Sequence, residues 1–570
     1  MRIKIIENII LFFIGTIVVA LIYMQTIKGE YYYDLSVNNR IRVIPVEGPR
    51  GRIFDRRGLV LADNHLAYNV AVVAQDLQDT DSLFNFLGRV LKKDPISLKK
   101  QFLHKRKTPF DPVVLARDID LRTIFAIEEN RFQYPGLVIE KTYERNYPFA
   151  QTDAHAVGYV GKINADEAEV LEDYGYNLQS VVGKMGVERT YDSILRGGLG
   201  GRQIEINNRG QEVRLLSLKE PVQGKDIGLT IDQRIQSAAD DLLASRPGAV
   251  VVMDLANGDL LGMVSSPSFD PNAFVNKNLQ GKVLSYIHDP RALLLNRVVA
   301  SSYPPGSVFK IPVALAAIEL KRIAPDVTFQ CPGYYMLGKR RFGCAHVHGS
   351  EDLNQAIAHS CNVYFFHVGQ MVTAHVIQQY AKAFGLGRVT GVDLPFEASG
   401  QVPAGSRPGH PWYTGNTLNF SIGQGDTLTT PLQLTVMMAA VANDGVILRP
   451  RIVRSVDHKD LPSPNISRLP TVRLHDNTWH IVQRGLRSVI TDPEGTAHEL
   501  NDLAGMTIYG KTGTAQAGTN KANHAWFVGY VHSPRNNLAF CVFLEHGGSS
   551  TNAVEVTHGL LSRMQSQGII

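Results

Sequence analysis

A serine and a lysine stand three positions apart at the start of an apolar stretch, in the order Ser307-Val-Phe-Lys310. A serine hydroxyl is a poor nucleophile until a neighbouring base accepts its proton, and a lysine can serve when burial and nearby cations depress its pKa. Tyr303-Pro-Pro-Gly306 precedes the pair, which predicts that Ser307 opens a helix with Lys310 one turn further on the same face. A helix N-terminus offers backbone donors where an acyl oxyanion would develop. The pattern therefore predicts acyl transfer through Ser307, with Lys310 as the base.

Two further short motifs follow in the same half of the chain, Ser360-Cys-Asn362 and Lys511-Thr-Gly-Thr514. Ser360 can relay a proton to a leaving group, and Asn362 can hold a substrate amide. In the last motif a cation and two hydroxyls can bind a carboxylate, and the glycine permits close backbone approach. The residues predicted to bind substrate beside the catalytic Lys511 are Thr512, Gly513 and Thr514.

Each motif alone also has an ordinary structural explanation. The patterns Ser97-Leu-Lys-Lys100 and Ser463-Pro-Asn465 match the first two motifs elsewhere in the chain, so a single match arises by chance. Taken singly, Ser307 would cap a helix, Lys310 would be a solvated side chain and Lys511 would end a strand. The three motifs in this order, in one segment bounded by apolar strands, favour a catalytic site instead.

The elements that must position these residues form a domain of the α+β class. The predicted strands cover residues 249–253, 260–264, 525–531 and 538–544. The first two flank an Asn-Gly turn and the last two close the chain, so early and late strands would share one sheet. Residues 309–320 and 431–442 have helical patterns. We expect an antiparallel sheet covered by helices.

Length and composition place this domain in a larger protein. The chain has 570 residues, of which 44% are hydrophobic and 19% charged, which is typical of a folded multi-domain protein. Its net charge of +5 comes from Lys and Arg spread along the chain without a basic run, so nucleic-acid binding has little support. We predict an anchor over residues 1–28, a non-catalytic region over 29–228 and a catalytic domain over 229–570.

The N-terminus has the length and composition of a membrane anchor. An apolar run covers residues 9–24 and reaches about twenty residues with the isoleucines just before it, which suits one bilayer crossing. Residues 21–24 are bulky where a signal peptidase needs small ones, which favours an uncleaved anchor. Arg2 and Lys4 precede the run, so the positive-inside rule predicts a cytoplasmic N-terminus. The sequence predicts a single-pass protein of the cytoplasmic (inner) membrane with the bulk of the chain in the periplasm.

Three of the four cysteines crowd into one stretch, as Cys331, Cys344 and Cys361, with His346 and His348 between them. The fourth cysteine lies in the last apolar strand, where it is most simply a core residue. In an exported chain such cysteines suggest a disulfide, here between Cys331 and Cys344. Three cysteines and a histidine also suit a tetrahedral, structural Zn²⁺. The irregular spacing leaves both alternatives open.

Around these motifs the sequence resembles the class B penicillin-binding proteins, over nearly the whole chain. Residues 50–58, Arg-Gly-Arg-Ile-Phe-Asp-Arg-Arg-Gly, resemble the start of that family's pedestal domain of the dimerisation type, and residues 301–310 resemble its acylation site. Residues 411–417, residues 421–425 and Val363-Tyr-Phe-Phe366 are similar to the members that act in cell elongation. The resemblance implies a transpeptidase domain of the serine β-lactamase type carried on an elongated pedestal.

The same resemblance implies a peptidoglycan D,D-transpeptidase that takes stem peptides ending in D-Ala-D-Ala and is inhibited covalently by β-lactams. It also implies a D,D-carboxypeptidase side activity. The implied partners are a membrane glycan polymerase and a scaffold protein of the rod complex. A septal class B transpeptidase and a β-lactam receptor without turnover remain alternatives. Asn362 stands where some relatives have Asp, and no glutamate is set to activate a deacylating water, which argues against a β-lactamase.

The resemblance extends to the stretch that carries the cysteines. Some relatives of the elongation type hold zinc in the corresponding loop. The resemblance assigns His348 and Cys361 as ligands. Cys331 and Cys344 stand where such relatives have other ligands, often aspartates. Together these residues predict one structural Zn²⁺ bound by Cys331, Cys344, His348 and Cys361.

Overall fold

The computed structural model describes residues 2–32, 41–46, 48–106, 112–171, 176, 180–206, 212–276, 279, 281–403, 405–406, 411–464, 471–518 and 521–570. Packing divides the chain into two compact units. The first contains residues 1–50, 64–144 and 196–224, and the second contains residues 51–63, 145–195 and 225–570. Two segments of the predicted non-catalytic region, residues 51–63 and 145–195, therefore pack within the second unit.

The strands are, in chain order, β1 (Ile41–Val46), β2 (Ile53–Phe54), β3 (Val60–Val73), β4 (Pro112–Ala116), β5 (Leu137–Asn146), β6 (Val160–Lys162), β7 (Val181–Gly183), β8 (Gly200–Ile206), β9 (Glu212–Lys219), β10 (Ile227–Leu229), β11 (Gly248–Asp254), β12 (Leu260–Ser266), β13 (Phe329–Cys331), β14 (Tyr334–Leu337), β15 (Arg340–Gly343), β16 (Gly349–Glu351), β17 (Val453–Val456), β18 (Lys459–Asp460), β19 (Thr507–Ala515), β20 (His524–His532) and β21 (Leu538–Leu544).

The α-helices are, in chain order, α1 (Arg2–Ile22), α2 (Thr80–Leu91), α3 (Pro95–Lys105), α4 (Leu121–Asn130), α5 (Ala154–Val157), α6 (Ala165–Leu171), α7 (Gly186–Thr190), α8 (Asp192–Leu195), α9 (Gln233–Leu243), α10 (Asn272–Val275), α11 (Gly281–His288), α12 (Lys310–Glu319), α13 (Leu353–Ala358), α14 (Asn362–Val372), α15 (Ala374–Ala383), α16 (Thr414–Ser421), α17 (Pro431–Ala442), α18 (Asp476–Thr491) and α19 (Ser550–Ser566).

The first unit contains the N-terminal helix and two sheet regions. Residues Asn8–Ile27 form a helical span of 20 residues with a mean hydropathy of 2.3 and none of it buried, which fits a single-pass membrane anchor. One sheet orders its strands β1-β8-β9. In the other, the end of β3 pairs with β4 and with β5, and α2, α3 and α4 bury apolar side chains around it.

A five-stranded antiparallel sheet in the order β12-β11-β21-β20-β19 organises the second unit. Helices α9 and α19 pack on one side of it, and α17 packs against β11, β20 and β21. Since helices cover the sheet, strands β12 and β21 are buried along their whole length, and β21 is a continuous apolar run. The four predicted strands are confirmed, and β11 joins the early hairpin to the late strands as expected.

A buried ion pair within residues 145–195 also contacts residues 51–63. Arg145 Nε donates to Glu188 Oε1 at 2.7 Å, and Arg145 Nη1 donates to the carbonyl oxygen of Gly51 at 2.7 Å. Both charged side chains are almost fully buried. Removing either partner would leave an uncompensated buried charge, so the pair stabilises the contact between residues 145–195 and residues 51–63.

Candidate active site

The structure brings the first two motifs into direct contact. Ser307 lies in a 3-10 turn, Gly306–Phe309, that leads into α12, so it stands just before the α-helix that the sequence predicted it would open. Lys310 begins α12 and is only 1% exposed. Its Nζ donates to the Ser360 carbonyl oxygen at 2.7 Å and to Asn362 Oδ1 at 2.7 Å, and lies 3.3 Å from Ser360 Oγ.

The contacts of Lys310 fix its amino group beside the second motif. Ser360 O and Asn362 Oδ1 can only accept, so each takes one N–H group of the lysine, and the Ser360 hydroxyl lies at a third position around the nitrogen. Burial lowers the pKa of Lys310 to about 8, against the opposing effect of the nearby Cys344. The side chain can therefore act as a base near neutral pH.

The third motif lies against the serine turn. Lys511, Thr512 and Gly513 are buried in β19, and Thr514 is exposed. A Cβ on Gly513 would lie 2.9 Å from the carbonyl oxygen of Pro305, so only glycine lets the strand approach the turn this closely.

Two further observations place the third motif beside the catalytic lysine. Gly306, with φ of +55°, has no room for a Cβ because it would lie 2.8 Å from the carbonyl oxygen of Thr514. Burial holds the pKa of Lys511 well below its usual value, and the charge of Lys310 lowers it further. The lysines of the first and third motifs therefore share one groove.

The turn that carries the second motif is strained. Ser360 has φ of 62°, in the left-handed region that residues other than glycine rarely adopt. Directly after it, Cys361 caps α14, its Sγ accepting the amide N–H of Tyr364 at 3.5 Å. Such a conformation persists only where surrounding contacts enforce it, and here the Lys310 hydrogen bond to the Ser360 carbonyl is one of them.

Sequence reasoning missed Thr496, which connects the third motif to the end of α13, two residues before the second motif. The Thr512 hydroxyl donates to Thr496 Oγ1 at 2.8 Å. The amide and hydroxyl of Thr496 both donate to the carbonyl oxygen of Ala358, each at 3.2 Å. The preceding Gly495 has no room for a Cβ, which would lie 2.5 Å from the carbonyl oxygen of Val489. A single threonine after a turn carries no recognisable sequence pattern, so only the fold reveals this bridge.

The four predicted zinc ligands lie together beside the second motif. The ligand atoms of Cys331, Cys344, His348 and Cys361 are all within 4.8 Å of one another. Cys331 Sγ and Cys344 Sγ each lie 3.5 Å from His348 Nδ1. A hydrogen bond between the side chains of Cys344 and Cys361 lowers the pKa of Cys344 and raises the pKa of Cys361.

All four cysteines of the chain are free thiols in the structure. Three sulfur atoms and one imidazole nitrogen in a small cluster suit a tetrahedral Zn²⁺. The amide N–H of Asn362 donates to Cys344 Sγ at 3.1 Å, as outer groups of thiolate sites often do. The cluster is therefore fastened to a residue of the second motif.

Family models account for most of the chain. Residues 248–561 match the penicillin binding protein transpeptidase domain, and residues 45–229 match the penicillin-binding protein dimerisation domain. The chain belongs to the penicillin-binding proteins, which confirms the family and fold class predicted from the sequence.

Comparison with individual proteins shows which members of that family the chain resembles. "Peptidoglycan D,D-transpeptidase MrdA" of Haemophilus influenzae is 30% identical over 600 aligned positions, covering 98% of this chain and 90% of the relative. Penicillin-binding protein 2 of Helicobacter pylori, solved in complex with MreC, matches with a TM-score of 0.81 at 27% identity, covering 93% of this chain and 100% of that chain. A chain of a peptidoglycan synthase complex that coordinates polymerization and crosslinking matches with a TM-score of 0.74 at 27% identity, covering 99% of this chain and 98% of that chain.

Proposed function

We propose that the protein is an elongation-type peptidoglycan D,D-transpeptidase, like penicillin-binding protein 2, with Ser307 as its nucleophile. The observation that carries the proposal is the contact of Lys310 Nζ with Ser360 and Asn362 in a groove whose other wall is the Lys511 strand. The groove combines a nucleophile, a base of lowered pKa and a carboxylate-binding strand. These are the parts that acyl transfer from a peptide with a free C-terminus requires.

The acylation step follows from these positions. The Ser307 oxygen attacks the carbonyl carbon of the penultimate D-Ala while neutral Lys310 accepts the hydroxyl proton. The proton then passes through the Ser360 hydroxyl, 3.3 Å from Lys310 Nζ, to the amine of the departing terminal D-Ala. An ester on Ser307 remains and retains the energy of the broken peptide bond.

Deacylation reverses the proton path. An amine of a neighbouring stem peptide attacks the ester carbonyl, the Ser307 oxygen leaves, and the amine proton returns to it by way of Lys310. The third motif orients the donor, because the exposed Thr514 hydroxyl contacts the terminal carboxylate and the buried Lys511 offers N–H donors behind it.

Mass spectrometry after penicillin exposure tests the nucleophile. We expect one adduct, on Ser307, that is absent in Ser307→Ala and unchanged in Ser97→Ala, the matched serine of the chance motif. An adduct on another residue would overturn the assignment.

The elongation role needs a test in cells, because a septal transpeptidase or a β-lactam receptor would also be acylated. Cells depleted of their own elongation transpeptidase should regain rod growth with the wild-type chain and not with Ser307→Ala. Rescue by Ser307→Ala would show a scaffold without turnover, and rescue of division alone would show the septal alternative.

We propose the predicted topology as well, with α1 in the cytoplasmic membrane, the N-terminus in the cytoplasm and the bulk of the chain in the periplasm. Arg2 and Lys4, before the apolar span, support this orientation. A reporter active only in the periplasm should work when fused after Ile570 and fail when fused before Arg2. The reverse result would invert the topology.

The two similar structures, one solved with MreC and one a peptidoglycan synthase complex, support partners for this chain: a membrane glycan polymerase and a rod-complex scaffold like MreC. Co-purification of the full-length chain with each partner tests this. Loss of polymerase association after replacement of α1, with scaffold association retained, would assign the membrane helix to the polymerase. Failure of both partners to co-purify with the intact chain would contradict the proposal.

We further propose that Cys331, Cys344, His348 and Cys361 hold one structural Zn²⁺. The donor types and their separation support this, and a closed set of four protein ligands leaves no position for substrate. Metal analysis should find about one zinc per chain, reduced in Cys331→Ser and retained in Cys541→Ser, the matched cysteine of β21. A metal-free protein with Cys331 and Cys344 oxidised to a disulfide would contradict the proposal.

A further inference from the structure

The hairpin of β14 and β15 carries three consecutive cations, Lys339, Arg340 and Arg341, at its turn and second strand. All three side chains are exposed. Within the residues that the structure describes, no ion pair joins any of them to a carboxylate. The hairpin therefore presents positive charge that the folded chain does not neutralise.

Aromatic rings hold the two guanidinium groups on opposite faces of the hairpin. Strand register pairs Leu337 with Arg340 and Met336 with Arg341. The Arg340 guanidinium lies 5.1 Å from the ring centre of Phe342, and the Arg341 guanidinium lies 4.2 Å from that of Tyr334. A stacked arginine keeps its in-plane N–H donors available and loses less freedom on binding an anion.

The hairpin is fixed to the wall of the catalytic groove. Asn362 Nδ2 donates to the carbonyl oxygen of Gly343 at 3.3 Å, at the end of β15. Gln370 Nε2 on α14 donates to the Tyr335 hydroxyl at 2.7 Å. Phe342 is buried against Phe366 of α14 and Leu418 of α16. The hairpin is therefore attached to the groove at the catalytic residue Asn362 and packs against helices α14 and α16.

We propose that this hairpin is a subsite for the carboxylates of a peptidoglycan stem peptide upstream of the scissile bond. The proposal rests on the proposed function and names a further part of its substrate. The terminal carboxylate of the donor belongs to Lys511 and Thr514, whereas stem peptides carry further carboxylates along their length. Each guanidinium group can bind a carboxylate in bidentate fashion, and exposed cations without an ion pair also attract an acidic polymer from a distance.

The test compares two peptide substrates on the full-length protein. One is a stem pentapeptide with free internal carboxylates, and the other is the same peptide with those carboxylates amidated. The variant Arg340→Gln with Arg341→Gln removes both charges and keeps the side-chain stems that cover the rings. We expect KM for the acidic peptide to rise about 5- to 20-fold, with kcat nearly unchanged and KM for the amidated peptide unaffected.

Two controls separate charge from structure. The pair Arg89→Ala with Lys93→Ala removes the same charge from exposed positions of the first unit and should leave both KM values unchanged. Arg340→Lys with Arg341→Lys restores the charge and should recover part of the lost affinity, which a purely structural role of the hairpin would not predict.

An equal rise of KM for both peptides, or no rise for either, would overturn the subsite. So would a loss confined to binding of vesicles of anionic lipid, because that result would assign the cations to a membrane surface. Acylation by penicillin keeps this test separate from the proposed function: if the wild-type chain is acylated on Ser307, failure of the peptide comparison counts against the hairpin alone.

Discussion

Two regions of the chain carry the same short pattern, a serine followed three positions later by a lysine, and only one of them forms a catalytic groove. Ser97 and Lys100 lie in the first turns of α3, and both are exposed. Ser307 and Lys310 also follow a proline at the start of a helix, yet Lys310 is buried and hydrogen-bonded to the second motif. The pattern places a serine and a lysine on one helix face, and burial against a second wall supplies the reactivity.

The largest expected effect on the acylation rate comes from replacing the lysine of each region, Lys310 or Lys100, with alanine. Lys310→Ala should reduce the rate of acylation by penicillin about 10²- to 10⁴-fold, because the serine loses its proton acceptor. Lys100→Ala should change nothing measurable. The rates are followed with a fluorescent penicillin by stopped flow. A comparable loss in both variants, or in neither, would break the distinction between the two regions.

A second prediction concerns pH. Burial lowers the pKa of Lys310 to about 8, and the neutral form is the base, so the acylation rate should rise with pH and level off above that value. Below it the rate should fall about tenfold per pH unit, as the neutral fraction falls. A rate constant measured from pH 5 to pH 10 checks the sign. A rate that falls as pH rises through 8 would exclude neutral Lys310 as the base.

The smallest effect is expected at Thr496. This residue joins two walls of the catalytic groove, and the exposed helix that carries Ser97 has no such groove among the residues that the structure describes. Thr496→Val keeps the shape and removes the hydroxyl, so the acylation rate constant should fall about 5- to 10-fold, with penicillin affinity nearly unchanged.

Thr496→Ser keeps the hydroxyl and is the matched control, so it should restore most of the acylation rate. If Thr496→Val unfolds at a lower temperature yet acylates at the wild-type rate while folded, Thr496 stabilises the fold and has no role in acylation. Thermal unfolding measured beside the kinetics separates these outcomes.

Strands and helices of the second unit could be predicted where a local pattern of apolar residues alone specifies the element. The strands 249–253 and 538–544 are apolar runs because helices cover the sheet, and the helix predicted at 431–442 coincides with α17. The 3-10 turn at Ser307 was not predicted, because the turn depends on how closely Gly306 approaches Thr514. The packing of residues 145–195 in the second unit depends on long-range pairs such as Tyr191 with Asp393, in which the tyrosine hydroxyl donates to Asp393 Oδ2 at 2.9 Å.

By itself the sequence determined the membrane-length helix, the order of the three motifs and the chemical type of each candidate residue, because those properties lie in composition and short spacing. Only the tertiary structure decided that Lys310 meets Ser360 and Asn362, that Thr496 joins the third motif to the end of α13, and that three cysteines converge on His348. The physical reason is distance along the chain. Residues separated by tens or hundreds of positions acquire their pKa values and hydrogen bonds from neighbours that folding alone supplies.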